Sequence, residues 1–113
     1  AAGGGTSRFA ITIGGNASGQ EQQVNPPAVA TGSWQHVVVT LTGNTATVYI
    51  NGVQAGQNTS MTLNPTSLGA TTQNWIGRSQ YNDPYPTGKF DNFRIYDRAL
   101  SATEVQNLFS GKL

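Results

Sequence analysis

Length, composition and charge restrict what kind of protein this chain can be. Its 113 residues suit one domain, and a net charge of +1 with 10% charged residues gives no electrostatic basis for binding nucleic acid or an anionic membrane. It has no cysteine, which excludes disulfides and thiolate metal sites, and no apolar run approaches the ~20 residues of a membrane helix. The 14 glycines and the many Thr, Asn and Gln residues suit an extracellular β-protein.

The N-terminal third predicts one strand followed by irregular chain. Residues 1–7 are glycine-rich, and we interpret them as a linker or a processed end. Arg8–Ile13 is the first predicted strand, because apolar residues occupy every second position. Gly14-Gly15-Asn16 breaks it. Residues 19–33 are polar and contain two adjacent prolines, which predict an irregular or edge segment.

Later strands are predicted where β-branched or alternating apolar residues lie between turn residues, at 34–41, 46–50, 53–56, 74–78 and 91–96. The first of these carries apolar groups on both faces, which predicts a central position in a sheet. Asn51-Gly52 is the strongest hairpin signal, since both central residues of a type I′ turn need positive φ. Many short strands separated by turns predict an all-β sandwich.

The C-terminus predicts one short, capped helix. Ser101 and Glu104 stand at the spacing of a capping box, in which each side chain bonds the other residue's backbone amide. Leu100 and Val105 stand at the positions of a hydrophobic staple, and Gly111 is placed to end the helix.

A longer pattern runs through the same region and carries a resemblance to a known family. Its matching residues are Gly88, Phe90, Asp91, Phe93, Arg94, Ile95, Tyr96, Asp97, Arg98, Ala99, Leu100, Ser101 and Glu104. Further blocks at Trp34–Val39, Val48–Gly52 and Ile76–Arg78 precede it in the matching order. From Trp34 to Phe109 the chain resembles laminin-G-like, concanavalin A-like jelly-roll domains.

The resemblance implies an antiparallel jelly-roll β-sandwich with one short C-terminal helix. Residues 8–113 would form the domain without its N-terminal strands, since such domains usually begin with more strands. The chain would then correspond to the C-terminal two-thirds of such a domain or to a reduced version of it. We therefore expect an unpaired sheet edge or exposed apolar surface. The resemblance also implies a structural calcium ion bound by Asp91. In the alternative interpretation, Asp91 simply accepts backbone amides in a turn.

The acidic residues do not form a pattern typical of an enzyme. Glycosidases of similar shape use two carboxylates, usually two residues apart on one strand face. The five acids here show no such spacing; they are Glu21, Asp83, Asp91, Asp97 and Glu104. His36 has no partner at a spacing typical of nucleophilic catalysis, so we interpret it as a structural, hydrogen-bonded histidine.

Aromatic and polar residues before the last predicted strand suggest a sugar-binding surface. Ile76 matches a buried strand position of the resembling domains, so Trp75 should point outward. The predicted carbohydrate-binding residues are Trp75, Arg78, Tyr81, Asn82, Asp83 and Tyr85. Aromatic rings pack on the C–H face of a sugar while the polar groups bond its hydroxyls. Alternatively, the rings fill an apolar layer under the loop; Trp34 is expected in the core.

These observations predict a non-catalytic carbohydrate-binding module, accessory to a secreted glycoside hydrolase or surface protein. Its partners would be a poly- or oligosaccharide and the remainder of a larger chain or another domain, without nucleic acid or membrane insertion. The alternative is an adhesion or structural domain that packs on a neighbouring domain and binds no free sugar.

Overall fold

The computed structural model describes residues 7–13, 18–79 and 81–112. The predicted linker, apart from Ser7, and the predicted break at 14–16 lie outside these residues. The elements in chain order are β1 (Phe9–Ile11), β2 (Gln22–Val24), β3 (Val37–Thr42), β4 (Thr45–Ile50), β5 (Val53–Asn58) and α1 (Ala102–Phe109). Short 3-10 turns lie at Ser18–Gln20 and Pro65–Leu68. None of the described helices is long and apolar enough to cross a membrane.

The strands form two antiparallel sheets. β1 pairs with β2, with Phe9 opposite Val24 and Ile11 opposite Gln22. The second sheet has the order β3-β4-β5, and a bulge interrupts the β4–β5 register at Val48/Tyr49. The β4–β5 turn confirms the prediction at Asn51-Gly52, whose φ angles of 51° and 80° are those that a type I′ turn requires.

The three-stranded sheet carries a core on each face, because alternate residues of β4 point to opposite sides. On one face Ala46 and Val48 pack with Met61 and with Ile11 and Val24 of the small sheet. On the other face Tyr49 packs with Leu100 and Val105 at the start of α1. The described chain is therefore mostly β, in three layers: small sheet, large sheet and helix.

The start of the large sheet differs from the prediction. β3 begins at Val37 and is an edge strand, not a central one. Val37 and Val39 are exposed, and so is Trp34, with 65% of its surface accessible, so the expectation that Trp34 lies in the core is wrong. The small sheet covers only part of this face, which leaves an apolar groove of about 130 Å³ between Phe9, Pro26 and Val39. The exposed apolar surface expected from the sequence is thus present.

The segment between the 3-10 turn and α1 also differs. The predicted strands at 74–78 and 91–96 are absent from the described structure, in which residues 69–79 and 81–100 form no helix or strand. A strand needs the hydrogen bonds of a neighbour, and here none lies alongside. In addition, Asn92 has φ 54°, which interrupts an extended run, and its N–H donates to Asp91 Oδ1 at 2.8 Å.

The helix follows the prediction closely. Ser101 Oγ accepts from Glu104 N at 3.2 Å, and Ser101 N donates to Glu104 Oε2 at 2.8 Å, which completes the capping box. Gly111 has φ 72°, and Lys112 N donates to the Asn107 carbonyl at 2.8 Å, as in a Schellman motif.

Candidate functional site

A wide cleft lies between the β1–β2 sheet and the irregular segment that follows the second 3-10 turn. It has a volume of about 860 Å³ and is open to solvent. Its wall combines apolar and polar side chains, namely Ala10, Ile11, Thr12, Glu21, Leu68, Ala70, Thr71, Thr72, Gln73, Asn74, Trp75, Ile76, Phe93 and Ile95. This size matches a typical ligand cleft.

Trp75 and Phe93 are the aromatic residues of the described cleft lining, and Trp75 is 41% exposed. A bend at Ile76–Gly77 turns the chain back, so that the Arg78 guanidinium carbon lies 4.4 Å from the Trp75 ring centroid. Gly77 is required at this bend, since it has φ 75° and a Cβ there would lie 3.3 Å from the Phe90 ring. The cation–π contact restricts the orientation of the Trp75 ring.

Glu21 supplies the charged group of the cleft wall. It directly precedes β2, and only 6% of its side chain is exposed. Arg8 Nη1 lies 3.3 Å from Glu21 Oε2, and Gln23 Nε2 donates to the same oxygen at 2.8 Å. A buried carboxylate needs such partners, because burial of an unpaired charge is costly.

Neutral polar groups complete the wall near Trp75. Thr71 Oγ1 donates to Asn74 Oδ1 at 2.9 Å, which joins two lining residues, and Gln73 lies between them in the chain. The cleft therefore offers an aromatic face, a carboxylate, amides and hydroxyls in one place. These are the groups that bind a sugar's C–H face and its hydroxyls.

Asp91 does not form a complete metal site with the described residues. It is exposed, and its Oδ1 accepts from Asn92 N, as the turn interpretation expects. No group of three His, Cys, Asp or Glu side chains suited to a metal occurs in the described part of the chain. Calcium takes six to eight oxygen ligands, so a single carboxylate does not fit this ion by itself, and calcium binding stays a prediction.

Comparison with known proteins settles the family. The laminin-G family model described as "Concanavalin A-like lectin/glucanases superfamily" matches residues 2–106. The chain belongs to the concanavalin A-like superfamily. This confirms the resemblance seen in the C-terminal pattern, and the antiparallel sheets with one short helix are consistent with it.

A solved crystal structure is also similar to this concanavalin A-like chain. It is the crystal structure of residues 221–444 of an S-layer domain-containing protein from Clostridium thermocellum, to which the chain is similar with 40% identity and a TM-score of 0.65. The match covers 90% of this chain and 50% of that one, so the chain spans about half the length of the solved fragment. No curated protein matches the chain.

The structure brings together two of the six predicted sugar-binding residues of this concanavalin A-like domain, Trp75 and Arg78. The other four are Tyr81, Asn82, Asp83 and Tyr85, and they lie in the irregular segment after Arg78, outside the cleft lining as described. Tyr85 is exposed, whereas the Tyr81 hydroxyl is buried without a hydrogen-bond partner among the described residues.

The sequence did not predict four polar residues of the cleft, and the orientation that it predicted for Ile76 is not observed. Glu21, Thr71, Gln73 and Asn74 were not predicted as site residues, although Gln73-Asn74 directly precede Trp75 in the sequence. The expectation that Ile76 faces the core is wrong, because it is exposed and lines the cleft beside Trp75. Without a strand at 74–78, alternation does not hold the two side chains on opposite faces.

Proposed function

We propose that this domain binds a poly- or oligosaccharide in the cleft without hydrolysing it. The observation that carries the proposal is that the exposed Trp75 ring and the buried Glu21 carboxylate line the same open cleft. An aromatic ring favours the C–H face of a sugar, and a desolvated carboxylate is a strong acceptor for hydroxyl groups. The family's description as lectins and glucanases supports a carbohydrate ligand.

A binding role is favoured over hydrolysis by the number of acids in the cleft. Glycoside hydrolysis requires two carboxylic groups flanking the bond, and among the described residues Glu21 is the single acidic residue of the lining. We further infer that the sheets belong to a jelly-roll sandwich in a secreted or cell-surface protein, of which this domain is an accessory module. The similarity to an S-layer domain-containing protein supports the surface location.

The test is a glycan array with the wild-type protein, followed by titration calorimetry with each glycan that binds. Trp75→Ala should weaken binding by about 1–3 kcal/mol, by analogy with base–aromatic stacking, while the denaturant midpoint changes little because the ring is partly exposed. Trp34→Ala is the matched control, since Trp34 is an exposed tryptophan outside the cleft. Equal losses in the two variants, or no binding of any glycan by the wild type, would contradict the proposal.

A second candidate, a packing surface for another domain, is favoured by a different observation. Phe93 and Ile95 line the cleft and are 67% and 84% exposed, which is unusual for large apolar side chains grouped on one surface. A neighbouring domain seated there would bury them. Absence of glycan binding, together with self-association that is lost when Phe93 is replaced by lysine, would favour this function over sugar binding.

A further inference from the structure

The carboxylate of Glu21 is held in one position by contacts on one of its two oxygens. Both the Arg8 ion pair and the hydrogen bond from Gln23 end on Oε2. Spacing explains the hydrogen bond, because Gln23 lies on the face of the small sheet opposite to the core residue Val24, and Glu21 stands two residues before it, directly before β2. The group is thus positioned before any ligand arrives.

The other oxygen, Oε1, accepts no hydrogen bond from the described residues, and it keeps access to solvent, because it is not among the fully buried side-chain atoms that lack a partner. An ionised carboxylate is an acceptor only, so an accessible oxygen that no protein group bonds can accept from a ligand. Since Glu21 lines the cleft, a donor can approach from there. The hydroxyl groups of a sugar are such donors, whereas the ionised carboxylate of an acidic sugar has no proton to donate in a hydrogen bond.

The rest of the described lining carries no positive charge that would attract an anion. Its polar members near Trp75 are the neutral Thr71, Gln73 and Asn74. Of the arginines close to the lining, Arg8 pairs with Glu21 and Arg78 stacks on Trp75, whereas Arg94 is exposed between Phe93 and Ile95 and does not belong to the lining. An acidic sugar would therefore meet a carboxylate with no compensating cation in the wall.

We propose that Glu21 is the specificity-determining residue of the cleft and selects a neutral sugar, whose hydroxyl groups donate to Oε1 while its C–H face packs on Trp75. Arg8 and Gln23 act as positioning residues for the carboxylate. This proposal rests on the carbohydrate-binding function and adds to it the chemical class of the ligand: neutral glycans, with uronic acid-bearing and sulfated glycans rejected.

The experiment compares neutral, uronic acid-bearing and sulfated oligosaccharides on one array, then measures the affinity of a bound neutral oligosaccharide for variants of Glu21. Glu21→Gln should bind at least about tenfold more weakly, since it replaces a charged acceptor with a neutral one. Glu21→Asp keeps the charge but retracts the oxygen, and should also bind more weakly. Asp97→Asn is the matched control, because Asp97 is exposed and outside the lining.

The outcomes separate this inference from the function on which it rests. Preferential binding of uronic acid-bearing or sulfated glycans would overturn the inference and leave carbohydrate binding intact, and so would unchanged neutral-sugar affinity in a folded Glu21 variant. If Glu21→Gln fails to fold, Glu21→Asp and the wild-type preference on the array still decide the matter. No binding of any glycan class would overturn the function and, with it, the inference.

Discussion

At the scale of single residues, Asn51 does more than form a tight turn. Its backbone N–H donates to the His36 carbonyl at 2.8 Å, and its Oδ1 accepts from His36 N at 2.9 Å. Its Nδ2 also donates to Gln35 Oε1 at 2.8 Å. His36 thus bonds Asn51 through its backbone. Its Nδ1 atom is buried without a hydrogen-bond partner among the described residues, and the centroid of its ring lies 5.9 Å from that of the Phe109 ring. Asn51 therefore connects the residue directly before β3 to the β4–β5 turn by hydrogen bonds.

Asp91 is the residue on which calcium binding is tested. If calcium binds the folded protein through Asp91, it should raise the melting temperature of the wild type by mass action, and Asp91→Ala should remove that increase. Melting curves in calcium and in chelator measure the effect, with Asp97→Asn as a control for a lost surface charge. Identical wild-type curves in the two conditions would leave Asp91 with its turn role, as an acceptor for Asn92 N.

At the scale of secondary-structure elements, α1 is stabilised at its beginning by three interactions that share Glu104. Its carboxylate closes the capping box on Ser101 N and accepts two hydrogen bonds from Arg98, at 2.7 and 2.9 Å. Leu100 and Val105 are buried against Tyr49, which joins the beginning of the helix to the large sheet. This element therefore combines local capping with tertiary packing.

Removal of the cap should weaken the helix. We expect Ser101→Ala to lower the free energy of unfolding by about 0.5–2 kcal/mol, because the Glu104 amide loses its acceptor. Denaturant unfolding of the wild type and the variant measures the difference. Ser60→Ala is a suitable control, because Ser60 is exposed and its hydroxyl makes no hydrogen bond with the described residues. A Ser101→Ala protein as stable as the wild type would show that the cap contributes nothing.

The Glu104 carboxylate should also make stability depend on pH in the acid range. The hydrogen bonds from Arg98 and from the Ser101 amide lower the pKa of Glu104 from 4.5 to about 2. Because the folded pKa is the lower one, the stabilisation is present above about pH 4.5 and is lost as the pH falls towards 2. Melting temperatures of the wild type and Glu104→Gln should converge across this window, and a constant difference would contradict the assignment.

At the scale of the whole molecule, apolar surface remains exposed at the edge strand β3 and along the segment before α1. Val37 and Val39 are exposed on β3, and Phe90, Phe93 and Ile95 are exposed in a segment that pairs with none of the described strands. Unpaired edges and grouped apolar side chains favour contacts with other polypeptide segments. The described residues therefore leave part of their apolar surface without a covering layer.

This surface should make the isolated chain associate. We expect its apparent mass to rise with concentration in sedimentation or light-scattering measurements, and Phe93→Lys with Ile95→Lys should reduce that rise. Val53→Lys tests whether the effect is specific, since Val53 is exposed on β5, outside that segment. A wild type that stays monomeric across the accessible concentration range would contradict the expectation.

The sequence predicted an element correctly where the interactions that form it connect residues close together in the chain. The Asn51-Gly52 turn depends on the φ angles of two residues, and the cap of α1 depends on bonds between Ser101 and Glu104, so both were predictable. The family was predictable for a related reason, since its C-terminal pattern lies within one stretch of sequence.

The sequence by itself thus determined the hairpin, the capped helix and the superfamily, whereas the tertiary structure alone decided the cleft and the unpaired segments. Glu21 reaches the wall that carries Trp75 only because β1 pairs with β2 and the later segment packs beside them. Residues 91–96 have the composition of a strand, but no strand among the described residues lies beside them to share hydrogen bonds. Both outcomes depend on contacts between residues distant in the chain, which periodicity and turn signals do not encode.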